Sequence, residues 1–191
     1  ADGKWKKLAD LIADAKAYPG QMTVANSGTG SHTHISAVAM FKATGVDVIH
    51  VPYGAAQVVP NLLGGHVDTV VQLPGALASH VSSGRVRVLA VLTSQRDPGM
   101  PDVPTAQEQG FNVSLEAWRG IATPQGTPPA IIALLEAAIR TTTESPEFIA
   151  ASKKLFVRPA FLPAAPFGQM IAREDADLAR IMQQIGLKKS P

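Results

Sequence analysis

The 191-residue chain has no cysteine, an absence that removes disulfides, thiolate zinc sites, iron–sulfur clusters and cysteine nucleophiles together. Charge is sparse. Only 17% of residues are Asp, Glu, Lys or Arg, and 17 bases against 15 acids leave +2, a balance without the clustered basic face that nucleic-acid binding requires. No run approaches the roughly 18 consecutive apolar residues that mark a membrane-crossing helix. What is present is apolar and punctuated. A hydrophobic content of 46% excludes wholesale disorder, and 191 residues suffice to bury a sizeable core. Sixteen Gly and fifteen Pro predict sharp turns between short elements.

The periodicity reads as alternating helices and strands. Leu8, Leu11, Ile12 and Ala15 stand at i, i+3, i+4, i+7, so an amphipathic helix is expected over 5–18, stopped by Pro19-Gly20. A β-prone run, 21–26, leads into Ser27-Gly28-Thr29-Gly30-Ser31 and a helix over 31–44 closed by Gly45. Strand 47–51, helix 55–63, strand 67–71, helix 74–81 and strand 86–92 continue the rhythm. Connections of a few residues between such elements argue for a mostly parallel sheet covered by helices. Beyond a Pro/Gly-rich loop at 96–104, a short helix is expected over 105–109 and an extended stretch over 113–122. The remainder reads as three helices, 130–143, 146–155 and 166–185, with a short β-like piece at 156–158. Three helices in succession break the rhythm, which places a domain boundary near 112–128.

The sharpest local feature is Ala25-Asn26-Ser27-Gly28-Thr29-Gly30-Ser31, a strand running into a glycine turn that opens a helix. Glycines admit close approach of a ligand to the backbone, and unpaired N–H groups of a first helical turn favour an anion such as a carboxylate or phosphate. A plain turn with Ser31 as N-cap fits the same pattern. The Lys-Ser/Thr ending of a P-loop is missing, and the glycine spacing is not that of a dinucleotide fingerprint. His32 and His34, two apart on a helix, point to different faces, so no metal site is expected. His34 could bond within the turn or reach a cleft, and His50 reads as packing or surface. A serine hydrolase built on Ser31 with His34 or His32 lacks the Gly-x-Ser-x-Gly elbow and a third partner. Two further strand-to-helix junctions, Val51-Pro52-Tyr53-Gly54 and Val71-Gln72-Leu73-Pro74-Gly75, would share the carboxyl edge of a parallel sheet, where open α/β sheets bind ligands. Trp5 and Trp118 read as core or hinge packing.

Four stretches in order, LADLIADAKAYPGQMTVANSGTGSHTHISAVAMFKATGVDVIHVPYG, NLLGGHVDTVVQLPGALASHVSSGRVRVLAV, SQRDPGMPDVPTAQEQGF and EAWRGIATPQGTPPAIIALL, together resemble the periplasmic receptors of tripartite tricarboxylate transporters (Bug or TctC-like proteins). The resemblance implies an α/β fold of the type II periplasmic-binding-protein kind, a mostly parallel sheet flanked by helices. Residues 1–115 would be a complete ligand-binding domain, and 116–191 the mostly helical C-terminal portion of a second, incomplete domain. It further implies an exported, periplasmic receptor that captures a small organic carboxylate and delivers it to membrane permease subunits, without enzymatic chemistry, cofactor, metal or nucleic acid. Ser27, Gly28, Thr29, Gly30, Ser31 and His34 would contact the ligand, joined by Tyr53, Gly54 and Gln72 at the neighbouring junctions. Two departures fall at the cleft edge. The family's Lys between Tyr and Gly is absent after Tyr53, and its Asp-Asn before Leu-Pro is represented by Gln72 alone. Family members carry about a hundred residues before this point, so the chain reads as a fragment, with self-association through exposed C-terminal helices as a further expectation. A small serine hydrolase using Ser31 and His34, or a self-associating domain that binds no solute, are the alternatives.

Overall fold

Leu8, Leu11, Ile12 and Ala15 are all buried, so the first helix, α1 (Leu8–Ala17), sits where its apolar stripe dictates. The Asp10 carboxylate accepts the Lys6 and Lys7 N–H groups at its start. The computed structural model describes residues 3–184. Ile185, expected at the end of the last helix, and the outer domain bounds 1 and 191 lie outside the described residues.

Strand β1 (Thr23–Asn26) is followed by α2 (His32–Ala43), β2 (Ile49–Pro52), α3 (Val58–Leu63), β3 (Thr69–Val70) and α4 (Pro74–Ser82). The three strands form a parallel sheet in the order β2-β1-β3. The central strand is its most buried element, with Val24, Ala25 and Asn26 fully inaccessible. Thr23 and Asp68 lock the β1–β3 register. The Thr23 N–H and hydroxyl both donate to the Asp68 carboxylate, and the Asp68 N–H donates back to Thr23 Oγ1. The main core joins α1, β1 and α2 through Leu11, Val24 and Phe41, and a second cluster packs Ala25, Val58 and Val67 on the other side of the sheet.

The expected strand over 86–92 is a correction. That segment carries no ladder and pairs through an isolated bridge from Val91 to Thr105. Its alternating sequence suits a strand, yet an extended backbone becomes one only beside a lateral partner. A cavity of about 1770 Å³ is lined by both Val70 and Val86–Leu92. The stretch 113–122 likewise forms no strand, and the β-like piece at 156–158 is not a strand, Phe156 holding a left-handed φ of 50°. The short helix at 105–109 is a 3₁₀ turn, Gln107–Gln109.

Helices α5 (Pro129–Thr143), α6 (Pro146–Lys154) and α7 (Ala164–Gln184) complete the described chain. α5 buries none of its residues, and Ile131, Leu134, Leu135, Phe148 and Ile149 are exposed. α7 is held by Trp118, whose indole N–H donates to the Glu174 carboxylate and whose ring meets Phe167 edge-on at 5.0 Å.

Candidate functional site

The sheet topology brings the three strand-to-helix junctions together. Because β1 is central, the turn after it lies between the other two: the Tyr53 N–H donates to the Asn26 carbonyl, and the Val71 N–H to the Ala25 carbonyl. Gly28 faces the Tyr53 carbonyl.

The glycine turn owes its shape to its own side chains. Gly28 and Gly30 have φ of 109° and 79°, conformations in which any L side chain is strained. The buried Asn26 Oδ1 accepts the Gly28 N–H at 3.1 Å, an Asx turn. Thr33 Oγ1 accepts the Ser27 N–H at 2.8 Å, and the Gly28 carbonyl accepts the Ser31 N–H at 3.1 Å. Ser31 is the N-cap of α2, its Oγ accepting the His34 N–H. His34 Nδ1 accepts the Gly30 N–H at 3.1 Å. Most donors of the turn are therefore consumed internally. Thr29, His32 and Thr33 keep N–H groups without partners among the described residues, and α2 has no acidic residue in its first turn. An anion there meets three free N–H groups and the positive end of a helix dipole.

Gln72 reaches the turn from the third junction. Its Nε2 donates to Ser27 Oγ at 3.0 Å, while its Oε1 accepts the Leu73 N–H at 2.8 Å. Ser27 Oγ thus accepts from Gln72 Nε2 and donates to Gln72 Oε1 over a longer 3.4 Å. Ser27, Ser31 and Gln72 line the large cavity, whereas Gly28, Thr29, Gly30, His34, Tyr53 and Gly54 do not. The nine expected residues are neighbours but face two ways. Tyr53 packs into the second core cluster, and Gly54 is exposed.

Three further groups take part. The Asn26 amide is fully buried, and its Nδ2 has no partner. His50, read as packing or surface, meets the His34 ring edge-on at 5.3 Å and Phe41 at 6.5 Å. Burial holds both imidazoles below the ordinary histidine pKa, with His34 adding to the effect at His50 and Asp47 opposing it. His32 turns away from the junctions: its Nε2 donates to the Glu116 carbonyl at 3.2 Å, and its Nδ1 faces Ser36 Oγ at 3.4 Å. The Glu116 carboxylate accepts the Ser94 hydroxyl and N–H, which lower its pKa. Of these, Asn26 was legible, since Asn two residues before a glycine is the signature of an Asx turn. Nothing local announces the His34–His50 contact or the Ser94–Glu116 pair.

Ser31 and His34 do not form a catalytic pair. The imidazole Nδ1 is taken by Gly30, and Ser31 Oγ is engaged by the His34 backbone N–H and, at 3.0 Å, by Thr33 Oγ1. Among the described residues, no cluster of His, Cys, Asp and Glu could hold a metal ion, and no helix is long and apolar enough to cross a membrane.

A parallel sheet whose carboxyl edge gathers a glycine turn, a helix N-terminus and oriented hydroxyls is the ligand-binding edge of an open α/β fold. The chain belongs to the tripartite tricarboxylate transporter family receptors, whose family model matches residues 1–187. It is 32% identical over 187 residues to the protein BugT of Bordetella pertussis. Among solved structures, it is similar to a TctC solute-binding protein from Polaromonas, at 32% identity and a TM-score of 0.81, and to an adipate-bound protein of R. palustris, at 25% identity and 0.85. The chain spans less than two thirds of these proteins: its matches cover 97% of this chain but 57% of BugT, and 96% of this chain but 63% and 62% of the two structures. The family is one of receptors rather than enzymes.

Proposed function

We propose that the chain is the ligand-gripping portion of a periplasmic receptor that captures a small organic mono-, di- or tricarboxylate and hands it to the permease subunits of a tripartite transporter. The observation that carries this reading is the turn after β1, where unpartnered N–H groups at Thr29, His32 and Thr33 stand beside the hydroxyls of Ser27 and Ser31. A carboxylate accepts such donors with both oxygens, and charge-assisted bonds are the strong ones. In this reading residues up to about 115 form the gripping domain, and the helices that follow belong to the other domain of the receptor. Gln72 holds the Ser27 hydroxyl beside the turn, and being neutral it offers no carboxylate to a ligand ammonium group. The adipate seated in the R. palustris protein accords with a ligand of this chemistry.

Calorimetric titration with acetate, malate, adipate and citrate, with glutamate and putrescine as charge controls, tests the reading. At least one carboxylate without an amine is expected to bind. Heat from putrescine alone, or from none of the six, overturns it.

A further inference from the structure

His34 stands apart from the groups that line the cavity, yet its ring is committed to the turn. Nδ1 accepts the Gly30 N–H at 3.1 Å, so the neutral ring carries its proton on Nε2. The same residue's backbone N–H donates to Ser31 Oγ, which binds the two ends of the turn through one side chain and one amide. Gly30 has φ of 79°, and a Cβ placed there would meet open space. The partner of the Gly30 N–H is therefore the imidazole, while Asn26, Thr33 and the Gly28 carbonyl hold the rest of the turn.

We propose that His34 is a positioning residue: its unprotonated Nδ1 holds the Gly30 N–H, and with it the turn that meets the carboxylate, so protonation of the imidazole releases the turn and weakens capture. The inference rests on the carboxylate reading above for its ligand arm alone. A proton added at Nδ1 turns an acceptor into a second donor facing another donor, and that bond cannot survive. The surroundings favour the neutral ring. His34 is affected by burial alone, and its ring neighbour His50 is a second imidazole whose Nδ1 is buried without a partner. Asp47, just before β2, acts on His50 in the opposite sense. On α2 itself, His32 is engaged with Glu116, and Lys42 lies in the last turn.

The sign separates positioning from direct contact. A histidine touching the ligand becomes a cation on acidification and tightens an anion, whereas a released turn loosens it. The first measurement needs no ligand. In the ¹⁵N-labelled chain, the His34 ring is expected as the Nε2–H form near neutral pH, and the Gly30 amide should move with the midpoint of the His34 titration, below the ordinary value of about 6.5. In His34→Asn, whose Oδ1 occupies nearly the place of Nδ1 and does not titrate in this range, the Gly30 amide should keep its shift and lose its inflection. The second measurement is adipate affinity between about pH 8 and pH 5, expected to fall by roughly threefold or more in the parent beyond the fall in His34→Asn, which reports the ligand's own protonation, whatever that variant's affinity at neutral pH. A Gly30 amide that ignores the His34 titration overturns the proposal, as does affinity that rises on acidification or a His34→Asn profile matching the parent. If no carboxylate binds at any pH, the functional reading fails while the amide titration still decides the role of His34.

Discussion

Asn26 has its Oδ1 bonded to the Gly28 N–H while its Nδ2 is buried and unpartnered. Replacing it with alanine strands the Gly28 donor, and a urea titration should show a loss of about 1–3 kcal/mol. Asn26→Asp keeps the acceptor but buries a charge, so its deficit relative to the parent should shrink as pH falls and the carboxyl takes up its proton. Gly28→Ala and Gly30→Ala meet no steric obstacle, so the left-handed backbone alone sets their cost, about 1–2 kcal/mol each. The titrating residues give the pH dependence a direction. His34 and His50 have folded pKa values below their unfolded ones, so the unfolded chain binds more protons below about 6.5 and stability falls as the medium is acidified through that range. Glu116, lowered by its bonds to Ser94, acts in the same direction at lower pH: its contribution is present above the ordinary carboxylate value and lost as pH falls through the folded one. Glu116→Gln should therefore flatten the acid limb of a stability curve measured by circular dichroism.

Among the elements, α2 carries the turn at one end and Phe41, almost fully buried, near the other. Phe41→Ala should cost about 3–5 kcal/mol and also disturb His50, whose ring it meets. The helices were legible because their signals are local: Leu8, Leu11, Ile12 and Ala15 spell out α1 on their own, and Ser31 and Gly45 bracket α2. So was the meeting of three junctions at one sheet edge, which follows from parallel pairing. The segment 86–92 was not, because strand pairing depends on a neighbour that no local pattern supplies. Within the site, the spacing of Ser27, Gly28 and Gly30 announced a turn, but not that Asn26, Thr33 and His34 would consume its donors. Those bonds are satisfied across the loop rather than along it, and periodicity is blind to them.

For the whole molecule, both core clusters draw their buried members from residues 8–113, and α5 contributes none. Segments with few buried apolar contacts open first. Trp118, tied to Glu174 and Phe167, reports on α7, while Trp5, bonded to Asp14, reports on α1. Urea unfolding of Trp5→Phe, followed by the remaining tryptophan, should precede that of Trp118→Phe; coincident transitions would refute a two-step opening. The exposed Ile131, Leu134 and Ile149 should also bind a dye such as ANS in the native state, and light scattering should show size growing with protein concentration if these faces associate.

A single glutamine in the 3₁₀ turn carries a consequence for synthesis. Gln109 Oε1 accepts the Leu8 N–H, 101 residues earlier, and its Nε2 donates to the Leu89 carbonyl. The first turn of α1 is thus finished by a side chain that leaves the ribosome long after α1 itself. Until then the Leu8 N–H lacks this partner. Contacts this distant in sequence form slowly. The nascent chain consequently passes through a stage in which α1 has been made and the side chain that finishes its first turn has not.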